Sequence, residues 1–334
     1  MATVAKRKKV SIFQFEDLPV EIRIKVISYL DIKGLLRCNQ VSKKTRALCQ
    51  DESLWQKIDL SWKFGVPYSF VQFVLEKKCK NLLLRGSEMM GKTLKLTKMS
   101  YLRHLDLGEC EINERSMNEL LFSCHNLKRL SLACLRLESH TVRSICLQNR
   151  KLQTLDLETC TCGCGDQLKS ESIPDVINYF VELTELNLTS VRLCEDSLRY
   201  LVNNLTPKTL KLSLHDCRNL TDEHIKTLVT RCNKITELEL GSCNRITNMA
   251  LTNIIENLKY TLEKLGLRYC WGFDQRDLTG HLVLDLTKFY ELKSMPKLKH
   301  LGLVNLTTDE VYSLENQLPN VKIRESMVKI AKLW

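Results

Sequence analysis

A leucine pattern that returns every 25 to 36 residues constrains this 334-residue chain more than any other feature. The pattern is L-x-x-L-x-L-x-x-C or a close variant. Its copies begin at Leu102, Leu127, Leu152, Leu183, Thr209, Ile235, Leu262 and Leu298, with a less regular one near Leu82. Within each copy the apolar residues alternate, which is the period of a strand. The stretch that follows has the period of a helix, as in Ile225, Leu228 and Val229 or Leu251, Ile254, Ile255 and Leu258. Thr221 ahead of Asp222 and Glu223, and Thr308 ahead of Asp309 and Glu310, place a capping hydroxyl and first-turn acids where helices should start. One strand-turn-helix unit cannot bury its own apolar face, whereas stacked units share a continuous core. The expected fold class is therefore α/β, a right-handed solenoid with a curved parallel sheet inside and helices outside.

Fifteen cysteines need an account, because the chain shows no apolar N-terminal stretch of the secretory kind and no run approaching eighteen apolar residues. Neither a membrane nor an oxidising compartment is expected, and the thiols should stay reduced. The repeat supplies the account. Cys110, Cys160, Cys217, Cys243 and Cys270 occupy its turn position, and Cys79, Cys124 and Cys232 each precede a repeat start by three residues, so these eight read as small buried packing residues. Cys160, Cys162 and Cys164 could instead hold a soft metal. No fourth ligand is near, so the expectation is a Gly-containing loop, with neither metal nor cofactor. No nucleophile with an evident base was found, which points away from catalysis.

Residues 14–60 do not follow the repeat. They read FEDLPVEIRIKVISYL, DIKGLLRCNQV and SKKTRALCQDESLWQKIDL, with Asp17 and Pro19 signalling a helix, Ile22, Val26, Ile27 and Leu30 forming its apolar stripe, and Asp31 and Ser42 placed to cap two more. The block resembles an F-box, and the pattern that follows resembles the cysteine-containing leucine-rich repeats. An F-box joined to such repeats is similar to the substrate-receptor subunits of SCF-type ubiquitin ligases. The stretches DESLW, CHNLKRLSLACLRL and MPKLKHLGL are most similar to the S-phase-kinase-associated branch of that family.

The resemblance implies a non-catalytic receptor that docks the SCF adaptor, and through it the cullin scaffold. Leu18, Pro19, Ile22, Leu35, Leu36 and Val41 would form the docking surface, or serve as the F-box's own core. The repeats would hold a protein substrate, phosphorylated or basic, together with a small accessory phosphate-reading protein. Where the family usually has a Trp, this chain has Thr45, which implies a weaker hold on the adaptor. A repeat scaffold that binds a partner without ubiquitin transfer is the alternative. The expected domains are a basic tail at 1–13, the F-box at 14–60, a linker and irregular first repeat at 61–80, repeats at 81–323 and a tail at 324–334. Trp55 should pack the F-box onto the first repeat.

Alternation in the repeat sends its intervening side chains to the inner wall. There His104, Asp106, Arg129, Asp156, Glu158, Glu185, Lys211, His215, Glu237, Glu239, Lys264, Arg268 and His300 line up, six acids against four Lys/Arg. This mildly acidic wall suits a basic protein segment and repels nucleic acid. Arg268, Tyr269 and Trp271 cluster with Lys264 where the interval lengthens, either as a recognition rim or as a solvated cation beside a loop-plugging Trp. Residues 1–50 carry eleven Lys/Arg against four Asp/Glu. The run Lys6, Arg7, Lys8 and Lys9 is either a nuclear import signal or a solvated tail, and residence in nucleus and cytoplasm is the expectation.

Overall fold

The computed structural model describes residues 14–137, 139–160, 177–276, 282–284, 286–304 and 306–324. Eleven strands form one parallel sheet in near-sequence order: β1 (Lys57–Asp59), β3 (Asn81–Leu83), β5 (His104–Asp106), β6 (Arg129–Ser131), β7 (Thr154–Asp156), β8 (Glu185–Asn187), β9 (Lys211–Ser213), β10 (Glu237–Glu239), β11 (Lys264–Gly266), β14 (His300–Gly302) and β15 (Lys322–Arg324). Two short pairs stand outside it, β2 (Val66–Pro67) with β4 (Met89–Met90) and β12 (Asp274–Arg276) with β13 (Leu282–Leu284). Helices such as Glu114–Phe122, Glu195–Asn204, Asp222–Arg231 and Asn248–Leu258 form the second layer. The repeat leucines fill the space between, and Leu105, Leu130, Leu155, Leu186, Leu212, Leu238, Leu265 and Leu301 are all buried at the same register. The expected α/β solenoid is the fold observed.

The sheet reaches further than the leucine pattern. It begins at β1, inside the stretch read as F-box, and continues past Leu303 to β15. A backbone signature marks the repeats more sharply than their leucines do. Among the described residues the eighth position takes a left-handed conformation, at Trp62, Gly86, Glu109, Cys134, Thr159, Ser190, Asp216, Ser242 and Tyr269, with φ between 54° and 61°, and Gly86 is eighth because its coil starts at Cys79, three residues before the expected Leu82. For residues with a Cβ this conformation costs about 1–2 kcal/mol. Here it turns the chain without breaking the ladder, because from Trp62 to Ser242 each N–H donates to the carbonyl of the next coil at 2.6–2.8 Å. Counting back seven residues from Trp62 makes Trp55 the first residue of an unrecognised initial coil.

The turn cysteines have a second role beyond filling space. The thiols of Cys160, Cys243 and Cys270 donate to the carbonyls of Leu132, Leu214 and Leu240 in the preceding coil, at 2.9, 3.2 and 3.1 Å. Burial pushes the Cys110 and Cys217 thiols up to about 12, and Cys79, Cys124 and Cys232 to about 11, so they remain protonated at neutral pH. Among the described side chains no cysteine forms a disulfide. Cys162 and Cys164 lie outside the described residues.

Caps also differ from expectation in detail. Thr307, one residue before the expected Thr308, caps Thr308–Gln317 and forms a capping box with Glu310. Asp222 reaches over to cap the neighbouring helix, accepting from Thr247 N at 2.8 Å, from Thr247 Oγ1 at 2.7 Å and from Ala250 N at 3.1 Å. In the same coil Thr221 N donates to His224 Nδ1 at 3.3 Å, which requires that nitrogen to be unprotonated. Burial holds His224 and His104 below the ordinary histidine value.

A depressed histidine makes the unfolded chain bind more protons than the folded one between the two pKa values. Stability is then complete above the unfolded value of about 6.5 and is lost as pH falls through the window beneath it. Thermal melting should show a midpoint lower by about 2–4 °C at pH 5.5 than at pH 7.5. In a His104→Gln, His224→Gln variant that drop should shrink, and an unchanged drop would remove these two groups from the account.

Candidate functional site: an F-box face and a repeat inner wall

Three helices build the end of the molecule ahead of the sheet: α1 (Val20–Ile27), α2 (Ile32–Val41) and α3 (Lys43–Cys49). Asp31 Oδ1 accepts from Gly34 N at 2.7 Å to start α2, and Ser42 Oγ accepts from Thr45 N at 3.0 Å to start α3. Asp17, expected to start α1, instead closes the preceding 3-10 turn by accepting from Gln14 N at 2.9 Å.

The apolar stripe of α1 splits between two sides. Ile27 is buried, whereas Ile22 and Val26, spaced four apart and so on one side of the helix, are exposed, as is Leu30 in the turn just past its end. Tyr29 and Val41 are 79% and 75% exposed, and Phe15, Val20 and Leu36 also face solvent. So many exposed aliphatics on a small helical unit leave apolar surface to be covered, and covering a half-exposed one contributes about 1 kcal/mol.

Of the residues expected to dock the adaptor, Pro19, Ile22, Leu36 and Val41 lie exposed on this end and Leu18 is half-buried. Leu35 is corrected: at 4% exposure it belongs to the core, because one helical step separates it from the outward Leu36. Val26, Tyr29 and Leu30 were missed as surface residues, and the four-residue spacing from Ile22 was the signal for Val26. Thr45 is half-buried, its hydroxyl 2.8 Å from Ser42 Oγ, so it completes a cap and offers no outward apolar group.

Trp55 holds this end to the sheet. It is buried, donates from Nε1 to Cys49 O at 2.8 Å, and meets Phe73 edge-on at 4.9 Å and Phe70 at 6.2 Å, both on α4 (Tyr68–Glu76). The expected link between F-box and first coil is therefore present.

The inner wall differs from the open acidic surface expected. In-register parallel strands bring equivalent residues about 4.8 Å apart, close enough for opposite charges on adjacent coils to pair. Glu185, Lys211, Glu237 and Lys264 alternate across β8 to β11, with ion pairs of 2.9, 3.8 and 3.1 Å along the row. Glu239 sits between His215 at 3.7 Å and Arg268 at 4.0 Å. Each of these acids is matched by a cation of the same wall, which removes the net acidic attraction.

Asp106 and Asp156 are corrected further, because both are buried beneath Arg85, a residue not singled out from the sequence. Arg85 crosses three coils. Its Nε donates to Asp106 Oδ2 at 3.2 Å, Nη1 to Glu109 Oε1 at 2.9 Å, and Nη2 to Ser131 Oγ at 3.0 Å and Asp156 Oδ2 at 3.2 Å. Asn187 Nδ2 donates to the other Asp156 oxygen at 2.9 Å and to Glu158 at 3.3 Å. Gly108 permits the crossing, since a Cβ there would stand 2.7 Å from Arg85 Nη2. Burial raises the Asp106 carboxyl above the ordinary carboxylate value, with Arg85 opposing it. These two carboxylates are structural anchors and do not face a client.

Of the expected residues the wall presents Glu158, Glu185, Lys211, His215, Glu237, Lys264 and Arg268, all partly covered, with Tyr269 exposed at the turn beyond, while Glu239 is buried. The Trp271 side chain lies outside the described residues, as do Lys6, Arg7, Lys8 and Lys9. Among the described residues no group of three His, Cys, Asp or Glu could hold a metal ion, and no helix is long and apolar enough to cross a membrane.

Comparison with known proteins bears on both surfaces. The model of the SKP2 leucine-rich-repeat domain matches residues 69–332, and the F-box-like model matches residues 15–61. Mouse lysine-specific demethylase 2B is 24% identical over 247 residues, 70% of this chain and 17% of the demethylase. Bovine F-box/LRR-repeat protein 12 is 25% identical over 254 residues, 75% of this chain and 64% of the bovine protein. The chain thus spans under two thirds of the length of each of these relatives. A chain of the yeast Rad7 and Elc1 complex superposes with a TM-score of 0.58 at 16% identity, covering 93% of this chain and 91% of that one, a likeness of fold alone.

Proposed function

The chain belongs to the SKP2 leucine-rich-repeat domain family, with an F-box-like segment ahead of the repeats, and from that premise we propose that it is the substrate-recognition subunit of an SCF-type ubiquitin ligase. The observation that carries the proposal is the exposed apolar face of Ile22, Val26, Leu30, Leu36 and Val41 at one end of a stack that Trp55 makes continuous with it. The chain's own part is positional and not catalytic. A Skp1-type adaptor would cover the F-box face and bring the cullin, while a protein client would lie on the repeats. Holding client and ligase core on one body turns an encounter between them into a local one, which raises effective concentration without new covalent chemistry.

The paired inner wall suits a client recognised by shape and by alternating charge, so a wrong register costs affinity even though the net charge is near balance. Arg268 and Tyr269 extend this surface at the turn. Nuclear and cytoplasmic residence belongs to the same proposal, with Lys6 to Lys9 as the import segment.

The full chain, recovered from cells through an affinity tag, should bring both a Skp1-type adaptor and a cullin. Pro19→Ala with Leu36→Asp, an exposed pair, should reduce recovery of both at least tenfold while the thermal midpoint holds. Recovery of client proteins without adaptor or cullin would instead establish a repeat scaffold that promotes no ubiquitin transfer.

A further inference from the structure

A second surface lies away from the F-box face and the inner wall, at the edge where the strands of four successive coils begin. A cleft of about 560 Å³ is lined there by Lys80, Tyr101, Arg103, Lys128, Arg150 and Lys151, with no acidic residue among its lining groups. The volume falls within the range of small-ligand clefts. The backbone that carries these cations is fixed by the sheet itself, since Arg103 N donates to Lys80 O at 2.8 Å and Lys128 N to Arg103 O at 2.7 Å.

What sets these cations apart is their convergence in one cleft without an acid, with Arg150 also resting over the Tyr179 ring at 5.8 Å. Among the described residues, none of Lys80, Arg103, Lys128, Arg150 and Lys151 lies within 4.0 Å of a carboxylate. On the inner wall, and at three other places along this edge, lysines instead sit beside carboxylates. Lys78 pairs with Glu52 at 2.9 Å on one side of the cleft, Lys208 with Glu182 at 2.7 Å on the other, and Lys299 with Glu263 at 2.8 Å further along. Tyr101 and Leu147 supply exposed apolar surface within the cleft. His104 nearby is held below its ordinary value first by burial, then by Arg129 of the inner wall and by Lys128 and Arg103 of the cleft.

Five cations in one cleft with no carboxylate partner among the described residues repel one another, a cost that an anionic ligand removes on binding. A single carboxylate would satisfy few of them. A phosphate group carries close to two negative charges at neutral pH and three acceptor oxygens, and it matches the two arginine forks as well as the lysine point charges. The charge is also bounded, because paired carboxylates close the cluster on both sides. Nucleic acid would be better served by a stripe of cations that continues along its backbone.

We infer that this cleft binds a short phosphorylated segment of a protein, at a site separate from the inner wall and from the F-box face. The inference goes beyond the receptor reading and does not depend on adaptor binding.

An oriented peptide library with a central phosphoserine, and its unphosphorylated counterpart, tests it against the full-length chain at about 0.15 M salt. The phosphorylated pool should be retained at least tenfold over the unphosphorylated one. Arg103→Glu with Arg150→Glu should abolish that preference, while the charge-matched control Lys95→Glu with Lys226→Glu should keep it. Both pairs are exposed, and thermal melting verifies that each variant folds. Equal retention of the two pools, or equal loss in the control, would overturn the inference. A twelve-nucleotide single strand that binds more tightly than any phosphopeptide would do the same, in favour of nucleic acid. Adaptor recovery by the Arg103→Glu, Arg150→Glu variant should match wild type, which keeps this test apart from that of the receptor reading.

Discussion

Arg85→Ala should lower the unfolding free energy by about 3–5 kcal/mol, because it leaves two buried carboxylates with neutral hydrogen-bond donors but without the cation that pairs with both. Arg85 is the cation in contact with both Asp106 and Asp156, whose side chains are 3% and 0% exposed. Arg85→Lys should recover less than half of the loss, since one ammonium cannot span the Nε, Nη1 and Nη2 contacts at once. Asp106→Asn with Asp156→Asn in the Arg85→Ala background should recover most of it, because the stranded charge is then gone. The pH dependence has a definite sign. Burial already raises the Asp106 carboxyl in the wild type, and loss of Arg85 raises it further. A carboxyl raised in the folded state binds more protons there than in the unfolded chain. The deficit of Arg85→Ala should therefore be full above the folded pKa and fade as pH falls toward the ordinary aspartate value. Denaturant unfolding at pH 7.5 and pH 5 measures both effects, and a deficit under 1 kcal/mol at pH 7.5 would show that the network is ornamental.

Trp55→Ala should cost about 3–5 kcal/mol as well, but locally. The substitution deletes a buried indole, its hydrogen bond to Cys49 O and its edge contact with Phe73. These contacts join the end of α3 to α4, so their loss separates the F-box helices from the coil stack. Hydrogen exchange should accelerate across residues 20–49 and stay unchanged in β5 through β11. A single cooperative transition with uniform protection, merely shifted in temperature, would contradict this division.

The coils were legible because one physical constraint repeats. A strand with one face buried must alternate, and its leucines cannot vary without opening a cavity, so Leu105, Leu155 and Leu238 stand out in the sequence. The left-handed turn at the eighth position was not legible, since Trp62, Glu109, Thr159 and Tyr269 occupy it and only Gly86 carries the usual signal. That gap concealed the first coil and the place of Trp55 within it. Repeat position assigns charges to the inner wall, yet their meaning depends on which residues become neighbours across coils. Arg85 shows this, because it lies 71 residues from Asp156 in sequence and 3.2 Å from it in space. On the F-box, helical period identified an apolar stripe in α1 but not its outward direction, which is fixed by where α3 packs. Burial of Leu35 beside exposed Leu36 has the same origin.

The central claim is that the F-box end offers an apolar docking face on an already folded body. It is measured most directly by titrating purified Skp1-type adaptor onto the full-length chain and onto an Ile22→Asp, Val41→Asp variant. Each position is exposed, so the variant should keep its thermal midpoint. The account predicts saturable binding by the wild type and at least a hundredfold weaker binding by the variant, about 2.7 kcal/mol for two contact residues. Equal affinity for both chains, or no binding by the wild type, would contradict it.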